Sequence, residues 1–143
     1  MNNYKHTQRG TVIIVAMLIM FVIFLVLGIF VAHEFFITAP LLLLGVCLFG
    51  TLTIEIADGE LRWRFGPGLI RKHVALADIA TARVVRTNFL EGWGIHYSRF
   101  GWLYNVSGSD AVAVTLRNGK RFAIGTDEPE VLTAKLTTTK PPV

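Results

Sequence analysis

At 143 residues the chain has room for one domain of ordinary size and little else. A net charge of +4 is too small an excess to predict nucleic-acid binding, and a single cysteine excludes a disulfide within the chain. Apolar residues make up 52% of the sequence, a high fraction for a soluble domain, so their distribution decides the class of protein.

The apolar residues are concentrated near the start of the chain. No Asp, Glu, Lys or Arg occurs between Arg9 and Glu34. A run of about 20 apolar residues is enough to cross the hydrocarbon core of a bilayer, so residues 11–32 are predicted to form a transmembrane helix. A cleaved signal peptide is the competing interpretation, but its apolar region is usually only about 7–15 residues long and FVAHEFF is a poor cleavage site.

A second apolar run covers residues 35–51 and contains Pro40. Proline is tolerated in the first turn of a helix, so a short second crossing is favoured over a segment that lies in the membrane interface. Lys5 and Arg9 precede the first span, and several bases follow the second. Because cytoplasmic flanks collect Lys and Arg, we predict a multi-pass inner-membrane protein with both termini, including segment 1–10, in the cytoplasm.

After residue 51 the apolar positions alternate with polar ones, which is typical of strands. Asp58-Gly59 is a strong signal for a two-residue hairpin turn. Folding the chain there sets Ile54 opposite Trp63 and Glu55 opposite Arg62, so apolar faces apolar and acid faces base.

A second hairpin is predicted around a three-residue loop at 117–119, which pairs Val114 with Phe122. A shorter turn would mix polar and apolar side chains on each face. Thr126 or Asp127 then caps a helix with Pro129 in its first turn.

The order of strands first and one helix last predicts the fold class of the second half. We expect a membrane helical hairpin within residues 11–51, followed over 52–137 by a mainly-β domain. That domain is expected to be a small antiparallel sheet or barrel closed by the terminal helix. Residues 138–143 are predicted to be a flexible tail.

Residues 91–108 are rich in aromatic side chains. A four-residue loop at 98–101 would place four of these rings on one face of a strand pair, namely Trp93, Tyr97, Trp102 and Tyr104. Three interpretations stay open: the face fills the core, it rests on the bilayer surface where Trp and Tyr are enriched, or it lines a ligand pocket.

Basic side chains are the other candidate contact set. The residues concerned are Arg62, Arg64, Arg71, Lys72, Arg83 and Arg86. A tethered domain gains about 1 kcal/mol for each base well placed against anionic lipid. The hypothesis is that these bases orient the domain against lipid headgroups of the inner leaflet; an ordinary solvated surface is the alternative.

Two apolar spans followed by GWGI, YNVSG and IGTDEPE resemble small bacterial membrane proteins with a pleckstrin-homology-like (PH-like) domain. The resemblance covers roughly residues 11–136. It implies a seven-stranded, partly open barrel capped by a C-terminal helix, and no catalytic activity. Specific phosphoinositide recognition is not carried over, because the first strand turn, Asp58-Gly59 followed by Glu60, is acidic.

No catalytic, cofactor or metal motif is recognisable. The four histidines lie in separate contexts and the glycines lack the flanking elements of a phosphate or dinucleotide loop. We therefore expect a membrane-anchored interaction or scaffold module, with the bilayer, a membrane protein or a second copy as its contacts. The alternative is an accessory subunit of a membrane complex that acts through its transmembrane helices.

Overall fold

The structure is a computed structural model that describes residues 3–88, 91 and 94–138. Three α-helices occur in this part of the chain: α1 (Thr11–Phe30), α2 (Phe35–Phe49) and α3 (Pro129–Thr138). The described residues form nine strands: β1 (Tyr4–Arg9), β2 (Thr51–Ala57), β3 (Glu60–Phe65), β4 (Ile70–Ala75), β5 (Ile79–Arg86), β6 (Gly94–Ser98), β7 (Gly101–Asn105), β8 (Asp110–Leu116) and β9 (Arg121–Gly125).

The strands form two sheets. The first sheet is antiparallel in the order β1-β2-β3-β4. The second has the order β5-β8-β9-β7-β6, in which β7 and β9 run parallel and the other pairs antiparallel. The predicted combination of N-terminal helices, a strand-rich second half and a C-terminal helix is confirmed at this level. The strand count exceeds the seven that the resemblance implied, and the parallel pair departs from an all-antiparallel barrel.

The helical pair is inserted into the first sheet. β1 precedes α1, β2 follows α2, and the two strands pair antiparallel with Arg9 opposite Thr51. The amide of Gly10 donates to the carbonyl of Gly50 at 2.8 Å, so the ladder continues to the point where the helices start. Both ends of the helical hairpin are therefore held side by side at one end of the sheet. The sequence predicted residues 1–10 only as a flanking segment.

Strand β1 is also held from the opposite side, by residues that lead into α3. The Nε2 atom of His6 lies 2.6 Å from a carboxylate oxygen of Asp127, and the Tyr4 hydroxyl donates to Glu128 at 3.2 Å. Burial, reinforced by the negative charge of Glu128, raises the pKa of Tyr4 and keeps its phenol protonated. These contacts join the first strand to the last helix.

Helix α2 contacts the first sheet directly. Gly66 begins the β3–β4 turn with φ +47°, and a Cβ there would collide with the carbonyl oxygen of Cys47 in α2. The ring of Phe49 in α2 packs 5.9 Å from that of Phe65 in β3. The end of the sheet that carries this turn is called the helix-proximal end below.

Most of the apolar surface of the helical pair is not covered by the strands. α1 is the one described helix that is long and apolar enough to cross a membrane, with a mean hydropathy of 3.4 and 6% of its most apolar window buried. Its 20 residues span about 30 Å, whereas the 15 residues of α2 span only about 22 Å. Such an uncovered apolar surface is typical of a protein that contacts lipid or another protein.

The core lies between the two sheets and is completed by α3. Fully buried residues come from the inner faces of both sheets and from the helix: Leu52, Ile54, Ile56, Leu61, Phe65, Val112, Val114, Ile124 and Leu132. Leu136 is also buried, whereas Val131 is 45% exposed. Successive helical residues are about 100° apart, so Val131 points away from the face of Leu132.

The predicted hairpin registers are confirmed. Ile54 pairs with Trp63, Val114 with Phe122, and Tyr97 with Trp102. The Thr126 hydroxyl accepts a hydrogen bond from the amide of Glu128 in the turn before α3. The helix begins at Pro129, so Glu128, and neither Thr126 nor Asp127, lies at the capping position. Trp93, predicted to share the face of Tyr97 and Trp102, lies outside the described residues.

The parallel pair β7–β9 depends on a close approach at Gly125. A Cβ at this position would overlap the side-chain amide of Asn105. Asn105 is fully buried, where its amide donates to the carbonyl of Gly108 and accepts from the amide of Ser107. The glycine thus leaves room for the side chain that closes the turn after β7.

Replacing residues 10–50 by a short Asn-Gly turn should give a folded soluble β module, because Arg9 and Thr51 already face each other. A fragment that begins at residue 51 and lacks β1 should be less stable by about 2 kcal/mol or more, since it loses the buried Tyr4 side chain. Urea unfolding followed by circular dichroism measures both. Equal stabilities would contradict the role given to β1.

In that helix-less variant, Gly125→Ala should lower the free energy of unfolding by about 1–3 kcal/mol, because the methyl group overlaps Asn105. The added cost should shrink in an Asn105→Ala background, where the amide is gone. Urea unfolding of both single variants and the double variant tests this. Strictly additive changes in the free energy of unfolding would show that Gly125 is required for a reason other than the space that Asn105 occupies.

Candidate functional site

The outer face of the first sheet carries three of the predicted basic residues. Side chains alternate along a strand, so Arg62 and Arg64 of β3 point outward while Trp63 points into the core. On the neighbouring strand Arg71 lies opposite Arg64, and His73 opposite Arg62. Arg62, Arg64 and Arg71 are called the outer basic face below.

The three arginines of this face differ in their charge partners. The Nε atom of Arg62 donates to Glu60 at 2.8 Å, and its Nη1 lies 3.7 Å from Asp58. The hydrogen bond to Glu60 raises the pKa of Arg62 above its ordinary value. Arg64 and Arg71 have no ion-pair partner among the residues that the structure describes. Like charges directly opposite in a ladder are destabilising, so this pair is suited to an external anion.

The unpaired arginines lie near the helix-proximal end of the sheet. The Nη1 atom of Arg64 is 3.7 Å from the place that a Cβ of Gly68 would occupy, in the turn that touches α2. In the same turn Leu69 is 78% exposed. A protruding apolar side chain beside two free guanidinium groups is the composition expected at a bilayer surface. Sequence reasoning missed Leu69, whose only signal was its place in a Gly-Pro-Gly-Leu turn.

The other three predicted bases do not belong to this face. Lys72 is paired with Trp63 and lies on the opposite side of the first sheet. Arg83 and Arg86 are in the second sheet, where Arg86 forms an ion pair with Asp110 at 3.2 Å. The expectation that the six bases share a surface is therefore corrected: the pleat separates Lys72, and the passage from β4 to β5 carries the chain to a different sheet.

A groove separates the edge strand β4 from β6 and β7, and its volume is about 910 Å³. It is called the inter-sheet groove below. Trp63 lies at its floor, where its ring stacks on that of Phe122 at 4.9 Å and meets that of Tyr104 edge to face at 5.3 Å. Burial raises the pKa of Tyr104, so this phenol stays neutral. The cations Lys72, Lys120 and Arg121 also line the groove.

The aromatic face divides between the core and this groove. Tyr104 is buried, whereas Tyr97 is 72% and Trp102 50% exposed, with their rings 5.9 Å apart edge to face. Trp93 lies outside the described residues. Beyond the other end of β7, Val106 contacts Gly10 at the start of α1, so the exposed ring pair lies at the end of the β6–β7 hairpin remote from the helices.

The described part of the chain does not assemble a recognisable reactive centre. No group of three or more His, Cys, Asp or Glu side chains in it could hold a metal ion. Ser98 is buried in the β6–β7 turn, where its hydroxyl donates to the carbonyl of Gly101 and accepts from the amide of Phe100. That hydroxyl organises the turn and is not aimed at a cleft.

Sequence reasoning also missed Lys120 and Arg121 as groove residues. They directly follow the 117–119 loop, and nothing in the sequence distinguishes them from ordinary residues beside a turn. Only the packing of the two sheets brings them to the same groove as Lys72 of β4.

Comparison with known proteins adds no relative to this description. No protein-family model, no curated protein and no solved structure matches the chain.

Proposed function

We propose that the chain is a membrane-anchored interaction module without catalytic activity. In this proposal α1 and α2 both cross the inner membrane, and the β module is held at its cytoplasmic face, where it binds a partner protein. The positive-inside rule supports this orientation, because bases lie on the side of the membrane where the strands lie. These bases are Lys5, Arg9, Arg64 and Arg71.

The observation that carries the proposal is the insertion of an uncovered apolar hairpin into a β-ladder. Large apolar side chains of both helices are exposed, among them Ile19, Val22 and Phe30 of α1 and Ile37 and Leu41 of α2. Water is an unfavourable solvent for such a surface, whereas lipid is not. Because β1 and β2 hold both helix ends at the same end of the first sheet, insertion of the helical hairpin leaves the β module on one side of the bilayer.

The PH-like character of the module is part of the proposal. Two packed sheets followed by a C-terminal helix support it. Strand β1, contributed from before the helices, and the parallel pair β7–β9 are additions to the barrel that the resemblance implies.

A reporter that works only in the cytoplasm should be active when it is fused to the carboxyl end, and a reporter that works only outside the cytoplasm should not. The reason is that both helix ends emerge from the same end of the first sheet.

A photo-crosslinking residue at Tyr97, which is exposed and remote from the helices, should capture a partner in native membranes. Capture only from α1 positions such as Ile19 would instead support an accessory subunit that acts through its helices. A carboxyl end outside the cell would contradict the proposal.

The outer basic face is expected to orient the module against anionic lipid. In the helix-less variant, Arg64→Glu with Arg71→Glu should weaken sedimentation with phosphatidylglycerol vesicles by about 2 kcal/mol or more. Arg62→Glu should have a smaller effect, because Glu60 and Asp58 already neutralise Arg62.

Arg83→Glu with Arg117→Glu, which makes the same change in net charge away from the outer basic face, is the matched control for this measurement. Binding of the unaltered variant should weaken as salt is added, and vesicles of phosphatidylcholine alone should not retain it. Equal losses from the Arg83/Arg117 pair and from the Arg64/Arg71 pair would show that net charge alone matters.

A further inference from the structure

The inter-sheet groove is bordered by two strand edges that have no partner on one side. β4 pairs only with β3, and β6 pairs only with β7, within the residues that the structure describes. An unpaired edge offers backbone N–H and C=O groups to another extended chain. The groove therefore provides hydrogen-bonding groups for a strand as well as side-chain contacts.

The charge of the groove is of one sign. Its lining includes Lys72, Lys120 and Arg121, and no Asp or Glu is present among the lining residues. None of these three cations forms an ion pair with a described residue. A ligand with carboxylate groups would meet free positive charges without repulsion from the groove itself.

The apolar part of the groove has the character of a binding hot spot. Tyr97 and Trp102 form an exposed ring pair at its wall, and aromatic residues of this kind dominate protein interfaces. Trp63 at the floor is 5% exposed, and its indole N–H finds no acceptor in the described structure. Buried donors without a partner are rare in folded proteins. A carbonyl or carboxylate group of a bound segment would supply the acceptor that the indole N–H of Trp63 lacks.

We propose that the inter-sheet groove binds an extended segment of a partner protein in which acidic and apolar residues alternate. The segment adds as a strand to an open edge, with the apolar side chains of one face against Trp63 and Trp102. Lys72 and Lys120 are exposed, and their long side chains reach past the segment to the carboxylates on its other face. A volume of about 910 Å³ lies within the range of ligand sites, which is about 300–1,000 Å³. This inference rests on the proposed interaction function and names its partner chemistry.

The test uses the full chain in phosphatidylcholine nanodiscs and a fluorescein-labelled peptide, Glu-Val-Glu-Phe-Glu-Val-Glu, with binding followed by anisotropy. The acidic peptide is expected to bind in a salt-dependent manner. A peptide with Lys at every Glu position should not bind, because the groove is cationic. A peptide N-methylated at its Phe and at the Glu that follows should bind at least about tenfold more weakly, because adjacent amides point to opposite sides of a strand and one of the two must face the edge.

Variants of the protein identify the site. Lys72→Glu with Lys120→Glu should weaken binding of the acidic peptide by about tenfold or more, and Trp102→Ala should do the same. The matched control is Arg83→Glu with Arg117→Glu, which makes the same change in net charge outside the groove lining and should leave the affinity unchanged. Circular dichroism of each variant checks that the module is folded.

Three outcomes would overturn the inference. They are no binding of the acidic peptide to the folded chain, equal binding of the N-methylated peptide, and equal losses from the control pair. A paired state of two copies that Lys72→Glu/Lys120→Glu dissociates, without peptide binding, would assign the groove to self-association instead. Each of these results leaves the membrane anchor intact, whereas an external carboxyl end would remove the proposed function whatever the peptide does.

Discussion

The antiparallel ladder between β1 and β2 is the constraint on which the rest of the structure depends. It joins a strand before the helices to a strand after them and continues to the pair Gly10 and Gly50. Because the helix ends are thereby fixed beside each other, the helical hairpin and the first sheet have a defined junction. The contact of Gly66 with Cys47 and the packing of Phe49 on Phe65 stiffen that junction. A flexible tether would not impose any particular face of the module on a membrane.

Strand alternation then assigns the charged residues to two different surfaces. Arg64 and Arg71 lie outward near the helix-proximal end and have no carboxylate partner among the described residues, whereas Lys72, one residue after Arg71, lies over the inter-sheet groove. Neighbouring bases in the sequence thus have separate surroundings and, in our proposal, separate ligands. Arg62 carries a similar charge on the same face, but Glu60 and Asp58 neutralise it. Whether a base lies close to a carboxylate therefore says more about its availability than the number of bases on the face does.

The groove exists because neither sheet continues beyond β4 or β6 in the described structure. The apolar side chains that a closed barrel would bury remain partly open there, and the ring pair of Tyr97 and Trp102 is the result. An aromatic wall remote from the helices is better placed for a protein contact than for lipid. The face that the sequence presents as a single aromatic surface is therefore part core, at Tyr104, and part exposed groove wall, at Tyr97 and Trp102.

The sequence by itself determined the apolar helix, the β hairpins and the presence of the terminal helix, because each depends on residues close together in the chain. Ile54 with Trp63 and Val114 with Phe122 follow from alternation around a short loop. Only the tertiary structure decided that polar residues 4–9 form a strand, since their partner lies some forty residues later and only Tyr4 among their inward side chains is apolar. The same holds for the insertion of β9 between β7 and β8, and for the meeting of Lys72 with Lys120. Such long-range pairings depend on the packing of whole sheets, which no local pattern of side chains encodes.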